Sequence, residues 1–254
     1  KADVAQVVIA CLDPDPRVSG KGVEVLKDFG IKTTVGVLEV EARRPNQGFM
    51  TRNEKGRPMI SVQVATSLDG RIATRSGDSP WTTHNEARLH RHWLRAQSDS
   101  LMVGSTTAIL DDPSLDCRLE GLEDRSPVRV VCDGRLRLPL TSKMVQTAKE
   151  KPTILITLTG TEGVRRRAFE DCGVNVITVP AGHKGQIDLA VACRQLADLG
   201  LTRVLVEGGG HLIASLMAEG LVDEMHWFRA PKVIGSDGIA AVQAFGVDRI
   251  DQAA

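Results

Sequence analysis

The stretch Val204–Leu216, VLVEGGGHLIASL, contains the change of hydrophobic pattern that decides the fold. An apolar run ends at Glu207, three glycines follow, and apolar residues then return at the spacing of an amphipathic helix. This order predicts a strand, a tight turn and a helix. A glycine turn before a helix presents unpaired amides and the positive end of the helix dipole, so it suits a bound phosphate.

The glycine turn alone leaves two interpretations open, because a tight turn without any ligand would have the same sequence. The dinucleotide fingerprint G-x-G-x-x-G fails here, since its last position falls on Ile213. Glu207 favours binding, because a carboxylate that closes an apolar strand needs a polar partner, and sugar hydroxyls would serve.

Outward from this stretch, strand and helix patterns alternate along most of the chain. The predicted strands are residues 4–11, 31–38, 58–66, 100–105, 128–134, 153–158, 174–179, 203–208 and 223–231. The predicted helices are residues 19–29, 84–97, 162–172, 186–199 and 210–219. Several strands are nearly continuous apolar runs rich in Val and Ile, as is typical of strands covered on both faces. The alternation predicts an α/β fold.

The polar segment 41–58, EARRPNQGFMTRNEKGRP, interrupts this alternation. Its charge, together with Gly56 and Pro58, predicts a linker or an interdomain helix with a domain boundary near residue 50. Before this boundary, the predicted strand 4–11, helix 19–29 and strand 31–38 form a short β-α-β unit.

Composition narrows the class of protein. Lys+Arg and Asp+Glu both number 32, and this balance argues against nucleic acid or a membrane surface as a partner. No apolar run approaches the roughly 20 residues that span a bilayer. Five scattered cysteines without a C-x-x-C motif argue against a disulfide framework and a zinc knuckle. The two histidines at 90 and 92 are too close for a zinc-binding helix. A cytoplasmic protein without a metal site is predicted.

A second group of polar residues begins at Ser67–Trp81, SLDGRIATRSGDSPW, which is typical of a turn at Asp69 and Gly70 and a following loop. Thr83-His84-Asn85-Glu86 has the pattern of a capping box, and the helix that it opens brings three arginines to one face, namely Arg88, Arg91 and Arg95. Such a stripe is usually solvated surface, although guanidinium groups also match the geometry of a phosphate.

The segment 103–118, VGSTTAILDDPSLDCR, adds four polar residues in a predicted loop marked by Pro113, and these are Thr107, Asp111, Asp112 and Arg118. Paired acids before a proline often only cap a turn. None of these features is specific when it is taken singly.

Taken together, VxVATSLDGRIAT, SGDSPWTT, LRAQSD, VGSTTAILDDPSLDCR and VLVEGGGHLIASLM resemble the reductase domain of the bifunctional riboflavin-biosynthesis deaminase–reductase. The motifs follow its order and spacing from about Arg57 to about Gly235. The segment 10–31, ACLDPDPRVSGKGVEVLKDFGI, resembles the tail of its zinc deaminase domain. The deaminase motif H-x-E followed by P-C-x-x-C does not occur in the chain.

The resemblance implies a dihydrofolate reductase-like fold, with a mixed sheet flanked by helices and preceded by a partial cytidine deaminase-like β-α-β segment. Residues 1–50 are expected to be the C-terminal remnant of a deaminase domain and a linker. Residues 51–254 are expected to be the reductase domain, with its closing strands missing after VDRIDQAA. Zinc would be needed only in the missing deaminase half.

The same resemblance implies NADPH-dependent reduction of the ribosyl side chain of 5-amino-6-(5-phosphoribosylamino)uracil to the ribityl product, by a cytoplasmic homodimer. Matching substrate contacts are Ser79, Arg95, Leu115, Arg118 and Glu207. Matching cofactor contacts are Ala65, Trp81, Thr107, Asp111, Gly209, Gly210, His211, Leu212, Ile213, Ala214 and Ser215.

Roles follow from these matches. Arg95 and Arg118 are expected to clamp the sugar phosphate, and Glu207 to meet the ribose hydroxyls. Asp111 and Glu207 are candidates for relaying a proton to the ring oxygen of the opened sugar, and solvent could do the same. Two positions depart from the family, because Gln63 replaces a lysine of many relatives and Gly134 replaces a serine of some.

Three alternatives are compatible with parts of the sequence. A dihydrofolate or other pterin reductase would share the fold but would not explain Arg95 and Arg118 beside a phosphate site. A non-catalytic module could bind NADPH without turnover. A Rossmann dehydrogenase is disfavoured by the failed glycine fingerprint.

Overall fold

A computed structural model describes residues 3–79 and 85–253, which form a large parallel sheet with helices on both faces. The strands are β1 (Gln6–Ile9), β2 (Lys32–Val35), β3 (Met59–Thr66), β4 (Arg71–Ala73), β5 (Ser100–Gly104), β6 (Val128–Cys132), β7 (Thr153–Leu158), β8 (Asn175–Val179), β9 (Arg203–Val206), β10 (Glu224–Arg229) and β11 (Ile239–Ala240). The helices are α1 (Lys21–Asp28), α2 (Glu39–Arg43), α3 (Gln47–Lys55), α4 (Asn85–Ala96), α5 (Ser105–Asp111), α6 (Lys143–Gln146), α7 (Gly163–Asp171), α8 (Leu189–Asp198) and α9 (Gly210–Ala218).

Seven strands form the main sheet in the order β10-β3-β9-β5-β6-β7-β8. Every neighbouring pair is parallel. A helical crossover returns the chain to the end of the sheet at which the strands start before each new strand begins. The mixed sheet implied by the family resemblance is thus parallel throughout these seven strands. Antiparallel strand pairing occurs beside it, between β4 and β11.

Alternate residues of the central strands enter two separate cores. On β9, Val204 and Val206 pack with residues of α8 and α9, whereas Leu205 packs on the opposite face with residues of α4, α5, α6 and α7. All three are at most 1% exposed. Burial on both faces explains the continuous apolar runs from which these strands were predicted.

The sheet changes its winding direction between β5 and β9. From β5 the chain continues through α5 to β6, whereas from β9 it continues through α9 to β10 at the other end of the sheet. The two helices lie on opposite faces, since Ala108 of α5 and Ile213 of α9 belong to different cores. Open α/β sheets bind ligands in the crevice that such a switch opens at the carboxyl ends of the strands.

The predicted strands and helices are all present, with ends that shift by a few residues. The predicted helix 84–97 corresponds to α4. Its first residue, His84, and the first residue of its predicted capping box, Thr83, lie outside the described residues. The predicted loop at 103–118 is wrong in its first half, because Ser105–Asp111 forms α5. This helix ends where Asp112 adopts a left-handed φ of 38°, directly before Pro113.

The polar segment 41–58, predicted as a linker or an interdomain helix, contains the end of α2 and all of α3. Met50 and Thr51 of α3 are buried, and a Cβ on Gly48 would lie 2.6 Å from Cγ of Arg203. A boundary at residue 50 would therefore fall inside a helix packed on β9. Before it, β1 and β2 form a parallel pair joined through α1. Among the described residues, no helix combines the length and apolarity needed to cross a bilayer.

Candidate active site

The glycine turn lies at the carboxyl end of β9, where the backbone requires glycine. Gly208 and Gly209 have φ angles of 135° and 86°, which other residues rarely adopt. A Cβ on Gly209 would lie 3.6 Å from Oγ1 of Thr107 and 3.7 Å from Cα of Gly104. In the described part of the chain, the amides of Gly208 and Gly209 donate to no protein acceptor. They are therefore free to bind a ligand's phosphate oxygens.

The third glycine is covered by the segment 239–243. A Cβ on Gly210 would lie 2.9 Å from the carbonyl oxygen of Ala240, and the amide of Gln243 donates to Gly210 at 3.1 Å. The amide of Ala241 donates to the carbonyl of Gly70 at 3.0 Å. Segment 239–243 thus joins the SLDG turn to the glycine turn. The sequence did not point to it, because its small apolar residues carry no reactive group.

Asp69 of the SLDG motif has a structural role. Its carboxylate accepts hydrogen bonds from the amides of Ile234 and Gly235 at 3.1 and 2.8 Å. The hydrogen bond from Ser67 and that from Gly235 lower the pKa of Asp69 to about 2. The ionised carboxylate therefore fastens the turn to the loop after β10.

Glu207 and Arg95 form a buried ion pair beside the glycine turn. Nε and Nη2 of Arg95 donate to Oε1 and Oε2 of Glu207 at 2.6 and 2.5 Å, and both side chains are 7% exposed. Burial lowers the pKa of Arg95, but the hydrogen bonding and charge of Glu207 outweigh it and the net pKa is raised. The polar partner expected for Glu207 is thus supplied by the protein itself. A sugar hydroxyl could bind only at the carboxylate lone pairs that the guanidinium leaves free.

The segment 115–118 is fastened to the same face of α4. Nη1 of Arg95 donates to the carbonyl of Asp116 at 2.7 Å, and Nδ1 of His92 accepts from the amide of Arg118 at 3.1 Å. Leu115 has a φ of 52° and is 4% exposed, with its side chain in the core. Any contact between Leu115 and substrate must therefore come from its main chain.

Two arginines contribute positive charge that the Arg95–Glu207 pair does not neutralise. The side chain of Arg118 is 65% exposed, and its Nε lies 3.5 Å from Oδ1 of Asp116. Nε of Arg91 is buried without a hydrogen-bond partner among the described residues. Burial, followed by the charge of Glu207 in the opposite direction, controls the pKa of Arg91, which is lowered. The arginine stripe on α4 is therefore buried toward its C-terminal end, contrary to the solvated-surface alternative.

Thr107 and Asp111 lie four residues apart on α5 and so face the same side of the helix. Thr107 contacts the glycine turn. Partial burial of its carboxyl group raises the pKa of Asp111, although the residue as a whole is exposed. This shift favours the protonated carboxyl group, which is the form that can donate a proton.

The remaining residues predicted to contact cofactor or substrate differ in their burial and in their partners. Leu212, Ile213 and Ala214 have buried side chains that anchor α9, whereas His211 is exposed. Ser215 Oγ donates to Oε1 of Gln186 at 3.3 Å. Ala65 is half-buried on β3, and Ser79 is exposed. Trp81 lies outside the described residues.

A pocket of about 410 Å³ opens at the carboxyl ends of β6 and β7, next to β5 along the sheet. Its lining residues are Gly134, Arg135, Leu136, Leu158, Thr159, Gly160, Thr161, Glu162 and Arg165. Arg165 is committed to the carbonyls of Leu136 and Leu138. Within the described residues, the guanidinium of Arg135 has no ion pair or hydrogen bond, and the carboxylate of Glu162 lines the same pocket.

Residues 58–251 match the family described as "RibD C-terminal domain". The riboflavin biosynthesis protein RibD of Aquifex aeolicus is 39% identical over 235 residues, covering 92% of this chain and 64% of that protein. The structure of Acinetobacter baumannii RibD, form 1, has a TM-score of 0.85 at 34% identity and covers 99% of this chain and 67% of that one. The chain belongs to the RibD C-terminal domain family.

Another RibD-like structure carries a more explicit name. The Thermotoga maritima "diaminohydroxyphosphoribosylaminopyrimidine deaminase/5-amino-6-(5-phosphoribosylamino)uracil reductase" has a TM-score of 0.78 at 28% identity and covers 97% of this chain and 64% of that one. The family resemblance predicted from the motifs is thereby confirmed. The chain spans 64% of the length of the Aquifex RibD protein.

The two positions expected to depart from the family, Gln63 and Gly134, lie at different places. Gln63 is 7% exposed on β3, opposite His226 of β10. Gly134 lines the pocket at the ends of β6 and β7, where a Cβ would lie 3.4 Å from Cγ of Leu158. The charged residues that line this pocket are Arg135, Glu162 and Arg165, and Gly134 adds no side chain to it.

Proposed function

We propose that this chain is an NADPH-dependent reductase that converts the ribosyl side chain of 5-amino-6-(5-phosphoribosylamino)uracil into the ribityl product. The supporting observation is that the glycine turn, the Arg95–Glu207 pair and the segment that carries Arg118 lie together at the carboxyl ends of β5 and β9. A turn with free amides suits a dinucleotide, and an exposed guanidinium such as that of Arg118, which lies 3.5 Å from Asp116, suits a sugar phosphate. The name of the Thermotoga structure supports the same substrate.

The residues of the crevice fit a nicotinamide cofactor. The unpaired amides of Gly208 and Gly209 would hold its pyrophosphate, and Thr107 lies against both glycines. Glycine suits these two positions for two reasons. It adopts the positive φ angles, and its lack of a side chain lets a ligand approach the backbone closely. The bound cofactor would supply the hydride, while the protein positions it and excludes water.

NADPH rather than NADH is favoured by the pocket that contains Arg135. Strands of a sheet lie about 4.8 Å apart, so the ends of β6 and β7 are within reach of a dinucleotide that extends from the glycine turn along the sheet edge. The guanidinium of Arg135 and the hydroxyl of Thr159 would bind a 2′-phosphate, whereas the Thr161 hydroxyl already donates to the carbonyl of Leu158 at 3.0 Å. NADH has no phosphate at this position.

On the substrate side, Arg118 and Arg91 would bind the phosphate, since neither is neutralised by a close carboxylate in the way that Arg95 is. Arg95 would act mainly by holding Glu207 in one orientation toward the sugar. Asp111, whose pKa is raised by burial, would deliver the proton to the opened ribose ring. Ser79 and the main chain of Leu115 would complete the substrate contacts.

We also infer the wider organisation from the family. The segment up to residue 50 would be the remnant of a deaminase domain and its linker, and the segment from 51 to 254 the reductase domain, with α3 spanning the boundary between them. The protein would be cytoplasmic and would act as a homodimer. Size-exclusion chromatography with light scattering tests the assembly, and a single 27.4 kDa species would contradict the dimer.

The decisive experiment measures loss of the absorbance of the reduced nicotinamide on mixing the protein with NADPH and 5-amino-6-(5-phosphoribosylamino)uracil. We expect turnover with this compound and none with dihydrofolate. Turnover with dihydrofolate alone would support the pterin reductase alternative. Binding of NADPH without turnover of either compound would support a non-catalytic module.

A further inference from the structure

His92 is a buried histidine of α4 that contacts the segment 115–118. It is 7% exposed, and it lies three residues before Arg95, so both side chains are on the same face of the helix. Its Nδ1 accepts a hydrogen bond from the amide of Arg118 at 3.1 Å. Its main-chain carbonyl accepts a hydrogen bond from Sγ of Cys117 at 3.5 Å. His92 therefore holds two successive residues of the segment 115–118.

The hydrogen bond requires a neutral imidazole with a free lone pair at Nδ1. Burial, and then the positive charges of Arg95, Arg118 and Arg91, lower the pKa of His92, while Glu207 opposes this to a lesser extent. The nearby groups thus keep the ring in the form that can accept a hydrogen bond. A protonated ring would lose this acceptor and would add a positive charge beside three guanidinium groups.

We propose that His92 is a positioning residue, which fixes the main chain of Arg118 and so aims its guanidinium at the phosphate of the substrate. This proposal rests on the proposed function only in the choice of substrate. The side chain of Arg118 is 65% exposed, and its ion-pair partner among the described residues is Asp116, at 3.5 Å in the same segment. Its direction therefore depends on the backbone of the segment 115–118. Arg95 and His92 hold that backbone from one helix face, at Asp116 and Arg118.

A crossed pair of substitutions separates positioning from packing. In His92→Asn, the amide oxygen can occupy nearly the place of Nδ1 and accept the hydrogen bond, but the side chain is smaller. In His92→Leu, the volume is filled but no acceptor remains. Each protein is titrated with ribose 5-phosphate and, separately, with NADPH by calorimetry, and KM and kcat are measured with 5-amino-6-(5-phosphoribosylamino)uracil.

If His92 positions Arg118, His92→Leu weakens ribose 5-phosphate binding and raises KM by roughly tenfold, as expected for loss of one hydrogen bond of about 1.4 kcal/mol. NADPH affinity and kcat stay close to the wild-type values, and His92→Asn behaves like the wild type. A packing role gives the opposite order, with His92→Leu normal and His92→Asn impaired, and overturns the proposal. Equal effects of both substitutions, or no effect of either, also overturn it.

His92→Ala is a second variant without an acceptor, in case leucine overpacks the site. Failure of both acceptor-free variants to fold, with His92→Asn folded, would show a purely structural role and would overturn the proposal. The binding titrations do not need turnover. If the wild type fails to reduce the substrate but binds ribose 5-phosphate in a His92-dependent manner, the proposed function fails and the positioning role stands.

Discussion

Arg95 and Glu207 form a two-point ion pair, with Nε and Nη2 of the arginine 2.6 and 2.5 Å from the two carboxylate oxygens. The pair joins α4 to the end of β9, and through Asp116 it also joins the segment 115–118. The wall of the crevice thus consists of three chain segments held by one guanidinium. A residue predicted to clamp phosphate therefore has a second role, since it fixes the carboxylate at the entrance to the glycine turn.

The stability of this pair can be tested with a double-mutant cycle. Arg95→Leu and Glu207→Leu should each lower the free energy of unfolding by about 3–5 kcal/mol, because each leaves one buried charge without its partner. The double variant should lose much less than the sum, since no charge remains uncompensated. Urea denaturation at pH 7 measures all four proteins. Additive losses would show that the two charges do not interact in the folded state. The double variant should still have a raised KM for substrate.

The sequence predicted the parts of this site that depend on local pattern. The strand, glycine turn and helix of Val204–Leu216 are present because a continuous apolar run, three glycines and helical spacing each act within a few residues. The α5 helix was missed because seven residues, Ser105–Asp111, are too few to show a clear helical period. The segment 239–243 was missed because its contact with Gly210 is formed only by the packing of distant parts of the chain.

For Glu207, the local sequence predicts that a partner exists, but the identity of that partner depends on contacts between distant parts of the chain. An acid at the end of an apolar strand indicates that some partner exists, and that inference is confirmed by the ion pair. The identity of the partner depends on how α4 crosses the sheet, so Arg95 was assigned to phosphate instead. Arg135 could not be predicted from the sequence, because an arginine that follows a strand has no distinctive pattern. Its candidate role depends on the pocket that the folded chain forms around it.

The preference for NADPH over NADH should depend on Arg135. In Arg135→Gln, we expect KM for NADPH to rise roughly ten- to hundredfold, because a hydrogen bond to a charged group contributes about 1.5–3 kcal/mol. KM for NADH should change little, since that cofactor lacks the 2′-phosphate. Steady-state kinetics with both cofactors checks this. Arg167→Gln, at an exposed position on α7, is the matched control and should alter neither value. A parallel rise for both cofactors would assign Arg135 to another part of the dinucleotide.

Asp111 should show opposite effects on stability and turnover. Burial raises its pKa above the unfolded value of 3.8, so the folded state disfavours the charged carboxylate. The resulting destabilisation is fully present above the folded pKa and disappears as the pH falls below 3.8. Asp111→Asn should therefore be at least as stable as the wild type at pH 7, and this advantage should shrink at low pH.

If Asp111 delivers the proton, the same variant should lose about a hundredfold or more in kcat, in the range of general acid catalysis. Thermal unfolding between pH 3.5 and pH 7 and steady-state turnover at pH 7 provide the two measurements. Normal turnover would assign the proton to solvent. A variant that is less stable than the wild type at pH 7 would contradict the raised pKa.

The contact between Gly210 and the segment 239–243 predicts a difference between two glycines that border the same crevice. A Cβ on Gly210 would lie 2.9 Å from the carbonyl oxygen of Ala240 and 3.1 Å from that of Ala241, so the backbone must move. A Cβ on Gly104 would lie 3.7 Å from Cβ of Leu212, which is ordinary contact. Gly210→Ala should therefore lower the free energy of unfolding by about 1–3 kcal/mol, as overpacking does, whereas Gly104→Ala should change it little.

The same movement should reach the SLDG turn, because Ala241 is hydrogen-bonded to Gly70 and β11 pairs with β4. Hydrogen exchange of the amides of Ala241 and Gln243 should accelerate in Gly210→Ala, since their acceptors, the carbonyls of Gly70 and Gly210, are displaced from them. NADPH affinity should fall in the same variant, because the amides of Gly208 and Gly209 lose their alignment with Thr107. Unchanged exchange at both amides, together with a normal free energy of unfolding, would mean that segment 239–243 does not pack on the glycine turn in solution.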